Sequence, residues 1–242
     1  MNKLTIIATS DLHGDLPDPK TMPEGDVLVL AGDLLPDDYW SPLSPPGVGS
    51  TRILRQAQWF DEVFIPWLPE VKMLRVDKKG KWIKRYNDII FIGGNHDFAL
   101  QAMLKEGIDK KLPKHVHYLS ESSVVIDGIK FYGAGWNMTR GWAFCHDEED
   151  HEEKLRYVPD DTDVMVIHGP PHIGAIDELA IHWCSPAIRM WLAKRKIKAY
   201  ICGHIHEAFG EYKIGETPVY VVSRKDRMYR DVNPFVTIDI VK

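Results

Sequence analysis

Residues 89–97 read IIFIGGNHD: four large apolar residues, two glycines and then an amide, an imidazole and a carboxylate. The apolar run is short and does not alternate with polar residues, which predicts a strand buried on both faces. Gly, Asn and Asp also favour turns, so this stretch taken alone fits a plain strand entering a turn. Partner segments elsewhere in the chain are needed to give the three polar residues a function.

The same pattern, an apolar run ending in a turn with Asp, Asn or His, occurs four more times. The other copies are residues 4–15 (LTIIATSDLHGD), 27–33 (VLVLAGD), 164–171 (VMVIHGPP) and 199–207 (AYICGHIHE). Five of the eleven histidines follow these runs, a concentration that turn preferences do not explain. Because ligands of open α/β sheets bind at the carboxyl ends of strands, we expect all five segments to deliver polar groups to one edge of one sheet.

The segments between these runs predict helices and hairpins. Helical spacing covers residues 51–65, a short helix is expected over 99–107, and Ser185 followed by Pro186 predicts the start of a helix over 185–196. Residues 124–136 predict a hairpin around Asp127-Gly128. A second small hairpin is expected over 76–88 with its turn at Gly80, and the chain from Phe209 onward predicts a second, more antiparallel sheet.

Length and composition favour an ordinary globular protein. The 242 residues are 44% hydrophobic and 27% charged, with a formal net charge of -5, and we interpret them as one domain over 1–242. About residues 36–85 form a candidate lid or insert. There, Trp40 and residues 41–50 (SPLSPPGVGS) are equally well explained as a wall of the substrate pocket or as a surface loop. Three scattered cysteines and the lack of a signal-peptide pattern predict a reduced, cytoplasmic protein without membrane partners.

The polar residues at the strand ends predict a centre of two metal ions. The candidate ligands are carboxylates, an amide and imidazoles, without thiolates, which suit Mn, Fe, Zn, Ni or Co. Seven ligands exceed what one ion takes from a protein, so we expect two ions with Asp33 as the bridge. Two ions about 3.5–4 Å apart clamp a phosphoryl group for in-line attack by a bridging hydroxide. The seven residues are Asp11, His13, Asp33, Asn95, His168, His204 and His206.

Five motifs, SDLHGD, AGDLL, GGNHDF, VIHGPP and CGHIHE, resemble in their order the pattern of the calcineurin-like metallophosphoesterase superfamily, and they span residues 11–206. The resemblance implies an α/β fold, a four-layer α/β/β/α sandwich of two mixed sheets flanked by helices. It assigns one metal to Asp11, His13, Asp33 and His206, and the other to Asp33, Asn95, His168 and His204. It also implies that His96 contacts the substrate phosphate as a catalytic residue, with Asp97 orienting its other ring nitrogen.

The resemblance implies a hydrolase for small phosphoesters, with manganese as the favoured metal. HGPP and GHIHE are similar to a compact phosphodiesterase-like branch and favour phosphodiesters, including cyclic nucleotides, while phosphomonoesters stay open. A nuclease is an alternative that the negative net charge disfavours. A non-catalytic scaffold of the same fold is a further alternative, although such relatives lose ligands.

Three further features are candidates for a role. Arg140 and His172 are candidate substrate-binding residues. The acidic run CHDEEDHEE, residues 145–153, is explained better by a solvated helix or loop face than by a third metal site. The sequence does not predict an oligomeric state.

Overall fold

Two mixed β-sheets face each other in the computed structural model, which describes residues 3–37, 50–76, 82–174 and 181–242. In the first sheet the spatial order is β13-β1-β2-β5-β6. Strands β1, β2, β5 and β6 run parallel, and β13 pairs antiparallel with β1. These strands, numbered in chain order, are β1 (Lys3–Thr9), β2 (Val27–Leu30), β5 (Asp88–Phe91), β6 (Val116–Tyr118) and β13 (Val236–Val241).

In the second sheet the order is β11-β12-β10-β9-β8-β7. Its central strands β8, β9, β10 and β12 run parallel, while β7 and β11 are antiparallel edges. The bounds are β7 (Ser122–Ile126), β8 (Ile129–Ala134), β9 (Val164–Ile167), β10 (Ala199–Cys202), β11 (Gly210–Ile214) and β12 (Thr217–Val221). A separate antiparallel pair joins β3 (Met73–Val76) to β4 (Trp82–Lys84).

Helices cover the outer face of each sheet. Those packed on the first sheet are α1 (Ser50–Trp59), α2 (Ile65–Lys72), α3 (Phe98–Ala102) and α4 (Lys105–Asp109). A π-helical turn, Phe60–Phe64, joins α1 to α2. Those packed on the second sheet are α5 (Glu148–Lys154) and α6 (Pro186–Ala193). The predicted four-layer α/β/β/α sandwich is therefore confirmed.

The strands are apolar without alternation because both of their faces are buried. In β1, Ile6 and Ala8 lie in the core between the sheets, whereas Ile7 packs against the helices of the first sheet. In β10, Ala199 and Ile201 lie between the sheets and Tyr200 faces the helices of the second. A strand covered on both sides has no solvent face on which a polar residue is favoured.

Two predictions about the sheets were wrong. Segments β1, β2 and β5 lie in the first sheet but β9 and β10 lie in the second, so the five segments converge from two sheets rather than one. The tail after Phe209 also divides. Its hairpin β11–β12 extends the second sheet, whereas β13 returns to the first sheet and pairs with β1.

The predicted local elements hold with changes at their ends. The expected helix over 99–107 is two helices, because Met103 and Leu104 have extended backbones between α3 and α4. Ser185 caps α6 by accepting a hydrogen bond from the Ile188 N–H, and the hairpin around Asp127-Gly128 is confirmed. The hairpin before β5 forms, but Gly80 lies outside the described residues.

Three further predictions concern the candidate lid, the cysteines and the membrane. Trp40 and residues 41–49 of the candidate lid also lie outside the described residues. Cys145, Cys184 and Cys202 form no disulfide bond. Within the described ranges, each helix is too short or too polar to cross a membrane.

Candidate metal centre

The seven predicted ligands converge where the strands of the two sheets end. The loop after β1 is tied to the loop after β2 by a hydrogen bond of 3.0 Å from the Asp11 N–H to the Gly32 carbonyl. In the second sheet, the Gly203 N–H donates to the His168 carbonyl over 3.0 Å. Across the sheets, Ser10 forms a parallel bridge with Ser223. Together with the contact of Asn95 Oδ1 with His168 Nε2, these contacts bring residues from all five predicted segments to one buried polar cluster.

The backbone at this cluster is unusual. Four of the seven ligands have left-handed backbones, with φ between 47° and 71°. Such conformations cost about 1–3 kcal/mol for residues other than glycine and persist where the surrounding structure imposes them. The fold therefore imposes unfavourable backbone conformations on these residues. These conformations direct the side chains inward, toward the cluster. The four residues are Asp11, His13, Asp33 and His204.

Asp11, His13 and His206 form the first ligand group, with one potential ligand atom of each lying within 4.8 Å of the others. The Nε2 atoms of His13 and His206 are 3.4 Å apart, and His206 Nε2 is 3.4 Å from Asp11 Oδ1. The other ring nitrogen of His206, Nδ1, donates to the Asp226 carbonyl over 3.0 Å. This contact fixes the ring so that Nε2 faces the cluster.

Asp33, His168 and His204 form the second group, and Asn95 completes it. The Asn95 Oδ1 atom lies 2.9 Å from His168 Nε2 and 2.7 Å from His204 Nδ1. His168 Nδ1 donates to the Ala31 carbonyl over 2.9 Å, which directs Nε2 toward Asp33 and Asn95. The side chains that the family resemblance assigns to one metal thus surround one point.

Asp33 lies between the two groups. Its Oδ2 is 3.2 Å from His168 Nε2 in the second group and 3.9 Å from His13 Nε2 in the first. Its Oδ1 accepts a hydrogen bond of 2.8 Å from the His96 N–H. One carboxylate oxygen therefore faces both groups, while the other anchors the loop after β5.

The donor atoms fit divalent cations. Since Nδ1 of His168 donates to a carbonyl, Nε2 of the neutral ring carries a lone pair, yet it faces two oxygens that also carry lone pairs. The Nε2 atoms of His13 and His206 likewise face each other with their lone pairs. A proton or a cation must lie between such acceptors, and mixed carboxylate, amide and imidazole donors are typical of transition-metal sites.

The charges of the cluster are set by these contacts. Burial lowers the pKa of His168, but the adjacent Asp33 carboxylate outweighs it and raises the pKa to about 9. In His206, a hydrogen bond to Asp11 likewise outweighs burial and raises the pKa to about 9. Burial and the nearby His168 lower the pKa of His204 to about 3, so His204 is neutral. The carboxylates thus attract positive charge to the positions where ions would bind.

Gly94 allows the close approach of two loops. A Cβ at this position would collide with the backbone nitrogen and Oδ1 of Asp33, and would lie 2.8 Å from His168 Cε1. A larger residue would push the loop after β5 away from Asp33. The glycine of IIFIGGNHD is therefore required for space beside the central carboxylate.

His96 is oriented by Asp37, not by Asp97 as the family resemblance implied. The His96 ring nitrogen Nδ1 lies 2.6 Å from Asp37 Oδ1, and Asp37 Oδ2 lies 2.9 Å from His13 Nδ1. Arg52, from α1, donates to Asp37 Oδ1 over 2.7 Å. Although burial raises the pKa of Asp37, hydrogen bonds from the two histidines lower it to about 2. Asp37 is thus an ionised carboxylate that joins the predicted ligand His13 to the expected catalytic histidine.

Asp97 instead stabilises the turns that carry the site. Its carboxylate accepts hydrogen bonds from the backbone N–H groups of Leu34, Leu35 and Gly94, at 3.2, 2.8 and 2.8 Å. Burial and the like charge of Asp33 raise the pKa of Asp97 to about 7 against these three donors. The side chain therefore holds the loop after β2 against the loop after β5.

A cavity of about 640 Å³ opens over both ligand groups. Its described lining includes Asn95, His96, Thr139 and three aromatic residues, Trp142, Trp183 and Tyr229. The candidate substrate residues Arg140 and His172 are not among that lining, and their role stays a prediction. Sequence reasoning missed the three aromatic residues and Asp37, because no local motif distinguishes them.

The acidic run 145–153 forms the solvated helix face that was favoured over a third metal site, except at His151. Residues 148–154 form α5, but His151 is 1% exposed rather than solvated. Neither ring nitrogen of His151 has a hydrogen-bond partner among the described residues. Burial lowers its pKa to about 4. The metal-ligating clusters found in the described ranges do not include it.

Comparisons with known proteins agree with this geometry. The model of the family described as calcineurin-like phosphoesterase matches residues 4–208. Human metallophosphoesterase domain-containing protein 1 is 26% identical over 271 residues, covering 97% of this chain and 70% of its own, and the mouse protein of that name gives the same values.

A solved structure is similar in fold. The protein TT1561 of Thermus thermophilus has a TM-score of 0.58 at 15% identity, with 91% of this chain and 89% of that chain covered. This likeness concerns the fold alone. The family match spans all five motifs and most of the chain, and so this chain belongs to the calcineurin-like phosphoesterase family.

Proposed function

We propose that this protein is a hydrolase of phosphodiesters that uses two divalent metal ions, with manganese as the favoured metal. The observation that carries the proposal is the position of Asp33 Oδ2 between two complete ligand groups, with His96 beside them in one cavity. When bound, such a pair of ions supplies a hydroxide nucleophile and neutralises the phosphoryl oxygens.

The residues of the chain would divide this work. Asp11, His13 and His206 would hold one ion, and Asn95, His168 and His204 the other, with Asp33 shared. The Nδ1 contacts of His168 and His206 with backbone carbonyls fix both rings before an ion arrives. Preorganised ligands of this kind bind without a further cost of reorientation.

His96 would donate a proton to the leaving oxygen. Its Nδ1 is held by Asp37, so a proton carried by Nε2 is available to a substrate in the cavity. Burial lowers the pKa of His96, but the carboxylates of Asp33 and Asp37 raise it overall. A raised pKa favours the protonated ring, which is the form that can act as a general acid.

The charge of the lining favours a phosphodiester over a phosphomonoester. The lysine and arginine in the described lining are Lys225 and Arg227. Lys225 is buried and donates to Asp15, Asp231 and the Tyr229 carbonyl, while Arg227 is 85% exposed beside Glu207. With these cations engaged or peripheral, a singly charged diester needs less compensation than a doubly charged monoester.

A screen with Mn²⁺ tests the proposal. Aryl phosphate, bis-aryl phosphate, cyclic nucleotides and single-stranded DNA would be compared on the full chain, with His96→Ala as the matched inactive protein. We expect turnover of the bis-aryl phosphate to exceed that of the aryl phosphate and to stop on chelation. A protein that holds fewer than two ions and hydrolyses none of these substrates would be a scaffold.

A further inference from the structure

Three aromatic rings from separate segments surround the metal cluster. The Trp142 ring lies 4.4 Å from that of His96, the Trp183 ring 6.1 Å from His204, and the Tyr229 ring 4.8 Å from His13. All three line the cavity. They therefore lie beside the expected catalytic histidine and both ligand groups.

Trp183 and Tyr229 are the more exposed of these three aromatic residues. Each is 47% exposed, although large aromatic side chains are usually well buried. Trp183 lies beside the second ligand group and Tyr229 beside the first. The two residues leave aromatic surface accessible inside a cavity that is otherwise lined largely by polar side chains.

The Tyr229 loop is held firmly in place. Tyr229 has a left-handed backbone with φ of 60°, and its N–H donates to the Asp226 carbonyl over 2.9 Å. The Asp226 side chain accepts from the N–H groups of Met228 and Arg230, while Lys225 bonds to Asp15 over 2.5 Å. Since a strained tyrosine persists only where its surroundings impose the conformation, this loop keeps the ring over the cluster.

Trp183 is fixed through its neighbours. The Ser185 N–H donates to the Pro170 carbonyl over 3.1 Å, and the Ser185 carbonyl accepts from the His172 N–H over 3.0 Å. Ser185 also caps α6. The HGPP loop, residues 168–171, therefore links the ligand His168 to the segment that presents Trp183.

We propose that Trp183 and Tyr229 determine specificity by binding a planar aromatic group, such as a base or an aryl ring, on the phosphoester substrate. The cavity volume of about 640 Å³ lies within the range of about 300–1,000 Å³ typical of small-molecule sites, which leaves space beyond the phosphate. Aromatic rings of the protein favour offset stacking or edge contacts with planar rings over contacts with short alkyl groups. This inference rests on the proposed function for the position of the phosphate.

Two monoanions that differ by one ring, and whose methoxide is a poor leaving group, test the inference. Methyl phenylphosphonate and methyl methylphosphonate would be titrated calorimetrically into the full chain loaded with Mn²⁺. We expect the phenyl compound to bind about fivefold or more tightly. Trp183→Ala and Tyr229→Ala should each weaken the phenyl compound about two- to tenfold while changing the methyl compound much less. Tyr157→Ala, which removes an aromatic residue 75% exposed outside the cavity lining, should leave the ratio unchanged.

The outcomes separate this inference from the proposed function. Equal affinities for the two compounds, or no detectable binding of the phenyl compound, would overturn the inference. So would equal weakening of both compounds in Trp183→Ala and Tyr229→Ala, since the rings would then only shield the histidines. Binding does not require turnover, so an inactive protein that shows the ring preference would contradict only the proposed hydrolysis.

Discussion

His168 and His151 are both buried histidines, with exposures of 0% and 1%, but their surroundings shift their pKa values in opposite directions. His168 faces Asp33 and Asn95, and the carboxylate raises its pKa to about 9 despite burial. His151 lies near the rings of Trp136 and His146, and burial lowers its pKa to about 4. Burial alone therefore does not define a metal site, whereas facing oxygen ligands do.

Asp33→Asn should have the largest effect on this contrast. It removes the carboxylate charge that raises the pKa of His168 and so distinguishes the surroundings of His168 from those of His151. We expect both ions to be lost together and hydrolysis to fall below detection, since one oxygen of Asp33 faces both groups. Metal content per chain and turnover would be measured, with the exposed Asp160→Asn as the control. Loss of a single ion would show that Asp33 does not bridge.

His96→Ala should leave the charged residues of the metal cluster in place but remove the expected proton donor. We expect turnover to fall about 10²–10⁴-fold, the range for general acid catalysis, with both ions still bound. Metal analysis and turnover on one sample separate the two effects, and His182→Ala, an exposed histidine, is the control. Loss of a metal ion would place His96 among the ligands.

Asp37→Asn and Asp97→Asn separate the roles of the two carboxylates near His96. Asp37→Asn should reduce turnover about 10–100-fold, as expected for a residue that orients a site histidine, because an amide supports the protonated ring less well. Asp97→Asn should instead cost about 1–3 kcal/mol of stability, because an amide nitrogen replaces one of the two carboxylate oxygens that accept from the three backbone N–H groups.

Turnover and thermal unfolding of both variants provide the readouts. If Asp97→Asn reduced turnover at full stability and Asp37→Asn had no effect, the role implied for Asp97 by the family resemblance would be restored. The contrast between the variants matters more than either value.

His151→Leu should have the smallest effect, confined to acid pH. The pKa of His151 is lower in the folded chain than the ordinary value of 6.5, so its contribution to stability is complete above about pH 6.5 and declines as the pH falls toward 4. The loss reaches at most about 3 kcal/mol. Unfolding of the metal-loaded protein should therefore depend less on pH in the variant.

Measurements at pH 7.5 and 5.0 on wild type, His151→Leu and the exposed His182→Gln would check this expectation. An unchanged pH dependence in His151→Leu would mean that His151 is already paired or solvated, and the contrast with His168 would fail.

The seven predicted ligands could be identified from the sequence because each follows one of five buried strands. An apolar run and the turn after it are local features, so Asp11, Asn95 and His204 can be identified without knowing how the sheets pack. The division of the five strands between two sheets was not predictable from the runs, which look alike in either sheet.

The roles of Asp37, Trp183 and Tyr229 depend on contacts between distant segments. Asp37 meets His96 across 59 residues, and the neighbouring Asp97 was favoured only because it is adjacent in sequence. In the structure, Asp97 folds back on its own turn at the start of α3, away from the ring. Tyr229 reaches the site through the loop between β12 and β13, where the chain crosses from the second sheet to the first.

Electron paramagnetic resonance of the protein titrated with Mn²⁺ tests the shared-carboxylate centre most directly. Two ions bridged through Asp33 should give an exchange-coupled signal that saturates at two ions per chain and disappears in Asp33→Asn. Saturation at one ion, or a signal from two ions without coupling, would contradict a shared dimetal centre.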